Sequence, residues 1–318
     1  MSQEQVSIDC QKGGSKRRRV FLRRAFYTAI GVAAFLFIFV CAMLIYNNVS
    51  FYSDEDFARR LDVSIDKAER WVDAHRSDIL TEGNDHLLLM LKECSELRHN
   101  ESFEEIVKSF LDQPISHYSR CWKREVDPNW PVSAAEIKRE VNGVAVDYKW
   151  MLYAVARQEA GINPEKIGLF DRQRWHRRQL THQVFALTLL RDRYGSDKLR
   201  DELLEHLCER VRGDLNLNIA VVDIYIQRAT FVLRAGFPQK IRRRWIERII
   251  DNQQSDGGWN DRWLCFTTTR RKLIFDFSET PSHQHATLQA IAALYLVKYR
   301  YPEQFGLRSI SMPSQAIK

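Results

Sequence analysis

Four histidines in the second half of this 318-residue chain, His176, His182, His283 and His285, carry the side chains best suited to moving a proton near neutral pH. Four carboxylates accompany them: Glu159, Asp171, Asp223 and Asp276. Two carboxylates facing each other across a sugar can cleave a glycosidic bond, but the spacing singles out no pair. Asp223 is the sharpest of the four, because it interrupts the apolar run AVVDIYI, where a buried carboxylate needs a partner. The catalytic candidates are His182, His283, His285 and Asp223, each weighed against a structural or solvent role. Two of the histidines share a setting. Leu180–Leu187 (LTHQVFAL) and Ser282–Leu288 (SHQHATL) are both polar, His-Gln-bearing starts to an apolar run.

The most specific string is IIDNQQSDGGW, Ile249 to Trp259. Gly257 and Gly258 allow a left-handed turn and close backbone approach after a helix. Asp256 can bond free amides in the turn. Gln253 can reach a neighbouring repeat, and Trp259 can bury a large apolar area against the adjacent hairpin. Gln253, Asp256 and Trp259 are therefore read as a structural turn motif.

This string resembles the Gln-Trp repeat of the α/α-toroid superfamily, which includes terpenoid cyclases, protein prenyltransferase β subunits and thioester-containing complement-like domains. The resemblance covers Trp245 to Tyr299, and the segment His283 to Leu296 is similar to the inner-ring helix that follows such a turn. It implies paired inner and outer helices around a central cavity. The chemistry does not transfer with it. No Asp-x-Asp-Asp acid motif exists; the nearest string, Ser53-Asp54-Glu55-Asp56, follows the apolar segment, and no Cys-x-x-Gln thioester string occurs. Prenyltransferases hold zinc with Asp, Cys and His. Asp261, Cys265 and His285 (or His283) supply those types in that order, with a different Asp-to-Cys spacing. The expectation is no cofactor, with zinc on Asp261, Cys265 and His285 as the alternative.

Helical periodicity runs through the elements that must position these residues. Ser53 or Asp54 caps a first helix, Ser64 a second, Ser102 opens FEEIVKSFL, and Ser133 caps a long helix reaching Ala160. Prolines 114, 128 and 131 mark residues 113–132 as a loop, holding Trp122 and Trp130. Gly195, Gly213 and Gly236 stand where helix C-caps belong. The strand candidate is Thr267–Phe277. The fold class expected is all-α: a single N-terminal transmembrane helix followed by an α/α-toroid-like array of helical hairpins. The divisions are a basic tail (1–24), the transmembrane helix (25–46), a helical membrane-proximal region and loop (47–132), the toroid-like domain (133–310) and a C-terminal tail (311–318).

Ala25–Tyr46 carries no charge and matches the roughly 20 residues needed to cross a bilayer. Its length, and the lack of an Ala-x-Ala site in Asn47–Phe51, favour an uncleaved signal-anchor over a cleaved signal peptide and over a buried core helix. Seven Lys and Arg precede it, while Asp54, Glu55 and Asp56 follow, which predicts a cytoplasmic N-terminus and an extracytoplasmic remainder. Residues 1–24 supply +5 of the chain's +7, so the outer domain is nearly balanced and no nucleic-acid partner is expected. The runs Arg172–Arg178 and Lys240–Arg244 read as solvated helix faces. Disulfide pairing among Cys94, Cys121, Cys208 and Cys265 stays open, and Asn100-Glu101-Ser102 is a glycosylation acceptor only in a eukaryote. An Arg-rich, Lys-poor composition suggests a bacterial inner-membrane protein with a periplasmic domain. The first functional expectation is a membrane-anchored protein that binds a lipid, glycan or protein partner. The second is an envelope enzyme acting on an isoprenoid lipid or polysaccharide.

Overall fold

The computed structural model describes residues 3–82, 85–113, 120–157, 159, 161–172, 177–218, 220–263, 266–267 and 281–307. The chain is all-α, with one two-residue antiparallel ribbon pairing Arg262–Trp263 with Phe266–Thr267. It divides into two compact units, residues 1–47 and 48–318.

The first unit is one helix, α1 (Gln3–Asn48). Its Arg23–Asn48 portion has a mean hydropathy of 2.7 and is long and apolar enough to cross a membrane. Phe35, Phe37 and Ile38 are each more than 60% exposed, unlike the side chains of a packed core helix.

The second unit contains α2 (Asp54–Ala74), α3 (Arg76–Glu82), α4 (Asp85–Leu97), α5 (Glu101–Asp112), α6 (Arg120–Val126), α7 (Ala134–Gly143), α8 (Val146–Val155), α9 (Arg177–Tyr194), α10 (Lys198–Leu217), α11 (Asp223–Arg234), α12 (Arg243–Asp251) and α13 (Gln284–Tyr295). Burial sorts them into two kinds. On α2, Phe57, Leu61, Ile65, Ala68 and Val72 form a single buried stripe at the helical repeat. On α10 the stripe is Leu204, Leu207, Cys208, Val211 and Leu215, and on α5 it is Phe103, Ile106, Val107 and Phe110. By contrast, α13 is buried at every position from Ala286 to Tyr295, and α11 from Tyr225 to Arg234. A helix buried all round has neighbours on every side. Packing bears this out: α4, α13, α11, α9, α8 and α6 each lie against the next, and α6 returns to α4. These six, the more buried helices, form a closed inner cycle of contacts, and α2, α5, α7, α10 and α12 each pack on one or more of its members.

Polar groups inside this cycle find partners within it. Thr181 on α9 donates to Gln227 on α11 at 2.8 Å, and Thr230 on α11 donates to the Gln289 carbonyl on α13 at 3.0 Å. The Gln-Trp turn locks α12, α13 and α2 together. Gln253 Nε2 donates to the carbonyls of Ser64 (2.9 Å) and Gly257 (2.8 Å). Asp256 accepts from the Gly258 amide at 3.0 Å and the Ser282 hydroxyl at 2.6 Å. Trp259 is 1% exposed and donates from its indole to the Ile249 carbonyl at 2.6 Å. Both glycines are required sterically. Gly257 has φ of 96°, with a would-be Cβ 2.5 Å from the Lys67 carbonyl oxygen, and a Cβ on Gly258 would lie 2.5 Å from that of Ser282.

Several boundaries differ from the sequence reading. Ser64 lies buried within α2, which Ser53 alone caps through the Asp56 amide. Asn100, not Ser102, caps α5. Ser133 forms a full capping box with Glu136, but the long helix predicted from it breaks after Gly143 into α7 and α8. Gly195 and Gly236 take positive φ beyond α9 and α11, whereas Gly213 sits inside α10. The predicted loop 113–132 contains α6, a member of the inner cycle. Of the strand candidate, only Thr267 falls among the described residues. Nor is Lys240–Arg244 a solvated face throughout: Arg244 is 2% exposed, 3.2 Å from a fully buried Glu247. Cys94 and Cys208 are buried free thiols; Cys265 and the Cys121 side chain lie outside the described residues.

Candidate active site at the helix starts

The titratable side chains of the inner helices gather largely at one set of helix ends. Asp85 and His86 open α4, Asp147 and Tyr148 stand in the first turn of α8, Asp223 opens α11, and His285 is the second residue of α13. His182 occupies the second turn of α9, and Glu125 lies near the end of α6. Carboxylates at helix starts meet the positive end of the helix dipole, which favours their charge.

Three histidines meet three carboxylates here, each pair bridging two inner helices. His182 Nδ1 is 2.8 Å from Asp147 Oδ2, and both side chains are nearly buried. His285 Nδ1 is 2.6 Å from Asp223 Oδ1, at side-chain exposures of 28% and 20%. His86 Nδ1 contacts Glu125 Oε2 closely, and Asp85 Oδ2 is 3.7 Å away. A carboxylate on Nδ1 fixes the ring's orientation and places the proton on that nitrogen, so Nε2 carries the lone pair. Gln289 Nε2 lies 3.4 Å from His285 Nδ1 and 3.3 Å from Nε2.

Aromatic rings join the pairs. The Tyr148 ring centroid is 6.1 Å from those of both His86 and His182. Trp122 is 5.9 Å from His86 and from Tyr148, and Phe185 is 5.3 Å from His86. Electrostatics agree, since Asp85, His285 and Asp147 all act on His86. Burial lowers the His86 pKa, against the pull of Asp85. Burial also pushes the Asp85 carboxyl well above its ordinary range. Glu125 is pushed up to about 8 by burial, although Arg193 and Arg234 draw it down.

Further along the helices, side chains of α9, α11 and α4 meet. Phe185 stacks on Phe231 at 4.8 Å, and the Arg234 guanidinium lies 5.1 Å from the Phe185 ring centroid. Arg234 also makes bidentate contact with Glu93 and lies 3.2 Å from Asp192.

Of the residues singled out from sequence, His182, His285 and Asp223 come to this site. His283 caps α13, its amide donating to the Trp259 carbonyl at 2.7 Å and its ring 6.4 Å from that of His285. Glu159 pairs with Arg124 at 2.8 Å, and Asp171 is exposed. His176, Asp276 and Cys265 lie outside the described residues. Of the zinc set, Asp261 is half-buried beyond the Gln-Trp turn and His285 faces Asp223. Sequence reading passed over Asp85, His86, Glu125, Asp147 and Tyr148. Asp85-His86 before LLLML carried a readable signal, the same polar start to an apolar run seen at His182 and His285. Glu125, in the segment read as a loop, offered none. No family model matches the chain, and neither a curated protein nor a solved structure is similar to it.

Proposed function

We propose that the chain is a single-pass bacterial inner-membrane protein whose periplasmic helical ring is an acid–base enzyme acting on a glycan at the membrane surface. The observation that carries this reading is the pair of histidines His182 and His285, each held at Nδ1 by a carboxylate, with His86 beside them against Glu125. A histidine so oriented presents Nε2 as a general base and returns the proton as a general acid. Support for a glycan over an isoprenoid comes from polarity. The site gathers carboxylates, imidazoles and Tyr148, with Trp122 and Phe185 beside His86, and the Arg234–Glu93 ion pair lies further along the helices. A polyisoprenoid chain would call for an open apolar tunnel instead. The closed order of inner helices and the Gln-Trp turn support kinship with the α/α toroids. The basic flank before the apolar helix supports a cytoplasmic N-terminus.

The test is turnover. Full-length protein in detergent micelles is incubated with purified envelope polysaccharides and glycolipids, and new chain ends are counted. Cleavage of one class is expected, falling by about 10²–10⁴ in His182→Asn and Asp223→Asn, the usual worth of a general acid or base. No cleavage of any class, or cleavage indifferent to both substitutions, overturns the enzyme reading. A periplasm-dependent reporter fused after Lys318 checks the orientation. A second reading, a binding module for a glycan, lipid or protein partner, draws on the exposed edge of the His285–Asp223 pair and predicts saturable binding without turnover.

A further inference from the structure

Two buried carboxylate oxygens beside His86 have no hydrogen-bond partner: Asp85 Oδ2 and Glu125 Oε1. Asp85 is 4% exposed and Glu125 1%. The nearby guanidinium groups are turned to other acceptors. Arg193 donates to the carbonyls of Arg124 and Glu125, and Arg234 to Glu93. One ligand atom from each of Asp85, His86 and Glu125 falls within 4.8 Å of the other two, the one such group among the described residues. Two buried carboxyls side by side, each with one oxygen lacking a hydrogen bond, are costly to ionise together, and a divalent cation offsets both charges at once.

We propose that Asp85, His86 and Glu125 form a binding site for a divalent transition-metal cation. The donor set sorts the candidates. One imidazole with two carboxylates suits Zn²⁺ or Mn²⁺, whereas Mg²⁺ and Ca²⁺ prefer oxygen alone. Zinc–nitrogen and zinc–oxygen bonds of about 2.1 Å place ligand atoms roughly 3.4 Å apart in a tetrahedral site, so the widest-spaced pair must draw in by up to about 1.4 Å, a side-chain adjustment. Three protein ligands leave a fourth position open, the arrangement of reactive rather than purely structural zinc. Trp122, Tyr148 and Phe185 crowd the His86 ring and keep it from swinging away. This site is distinct from the Asp261, Cys265 and His285 set, and its test measures binding alone; with a cation held, His86 serves as a ligand and the acid–base roles fall to His182 and His285.

Full-length protein in detergent, stripped with chelator and dialysed, is titrated calorimetrically with ZnCl₂, MnCl₂ and MgCl₂. One saturable equivalent of Zn²⁺ is expected, bound more tightly than Mg²⁺. Asp85→Asn and Glu125→Gln should each weaken it by at least about 10–100-fold, taking the loss for outer-shell partners as a floor, while His206→Gln on the exposed face of α10 leaves it unchanged. Because the two site variants alter buried groups, the wild type is also titrated with Co²⁺. Visible d–d bands of a four- or five-coordinate ion, saturating at one equivalent and erased by Zn²⁺, support the site. No saturable Zn²⁺ equivalent, an equivalent that survives in both folded variants, or the weak spectrum of hexa-aqua Co²⁺ overturns it, leaving two carboxyls that share a proton.

Discussion

His285 Nδ1 lies 2.6 Å from Asp223 Oδ1, although the two residues stand 62 positions apart in the chain. They open α13 and α11, neighbours in the inner cycle, and the His182–Asp147 pair joins α9 to α8 in the same way. Each pair therefore staples two helix starts together while orienting an imidazole.

The two staples should differ in strength according to burial. His182 and Asp147 are 8% and 6% exposed. Asp147→Ala removes the carboxylate from a buried imidazole and should cost about 1–3 kcal/mol, read as a lower denaturant midpoint at unchanged m-value. Asp223→Ala, in the wetter pair, should cost about 1 kcal/mol or less.

At the Gln-Trp turn the backbone, not only the indole, is expected to be intolerant. Trp259→Ala should lose about 3–5 kcal/mol, the range for emptying a large aromatic site. Gly258→Ala should also destabilise, because its methyl would overlap the Ser282 side chain and crowd the Thr287 hydroxyl. Gly195→Ala makes a useful comparison: it also has positive φ, but nothing lies within 4 Å of its would-be Cβ. Thermal melts of the three variants should rank Gly195→Ala mildest.

Acid should loosen the same turn. Burial pushes the Asp256 carboxyl up, but the Ser282 hydroxyl and the amides of Gly258 and Ser282 hold it below its ordinary 3.8. A carboxylate with a depressed native pKa adds stability above the unfolded value, and that stability is lost as pH falls through the native one. Asp256→Asn should thus destabilise at pH 7, with its difference from wild type shrinking below about pH 4. Equal differences at pH 7 and pH 3 would assign the effect to geometry rather than charge.

Glu247 is fully buried on α12 and gathers Arg243, Arg244, the Ser50 hydroxyl and the Phe51 amide. Glu247→Ala leaves the nearly buried Arg244 with fewer anionic neighbours and should cost about 3–5 kcal/mol. Limited proteolysis should then cut first near residues 48–53, where Glu247 shares the hold on α12 with Trp245, Arg243 and Asp251.

Helix content and the apolar span were legible in the sequence because periodicity and hydropathy are local. Outer helices such as α2 announced themselves by a single stripe. Inner helices could be sensed from runs such as HATLQAIAALY, apolar on every face. The site was half legible. His182, His285 and Asp223 stood out as polar residues beside apolar runs, but nothing local named their partners. Asp147 and Glu125 acquire meaning only when α8 and α6 join the cycle, a relationship set by packing across tens of residues. In the segment holding Glu125, the flanking prolines outweigh the short periodic signal of a seven-residue helix.

The inner cycle closes where α4, starting at residue 85, meets α13, starting at residue 284. A growing chain thus carries two unsealed apolar flanks until α13 joins them. Contacts so distant in sequence form slowly, and exposed intermediates of this kind aggregate. A chain stopped before α13 would lose the lid on α4 and the histidine that answers Asp223 in a single stroke, so nascent and truncated forms should be recognised by chaperones and proteases rather than persist as partial rings.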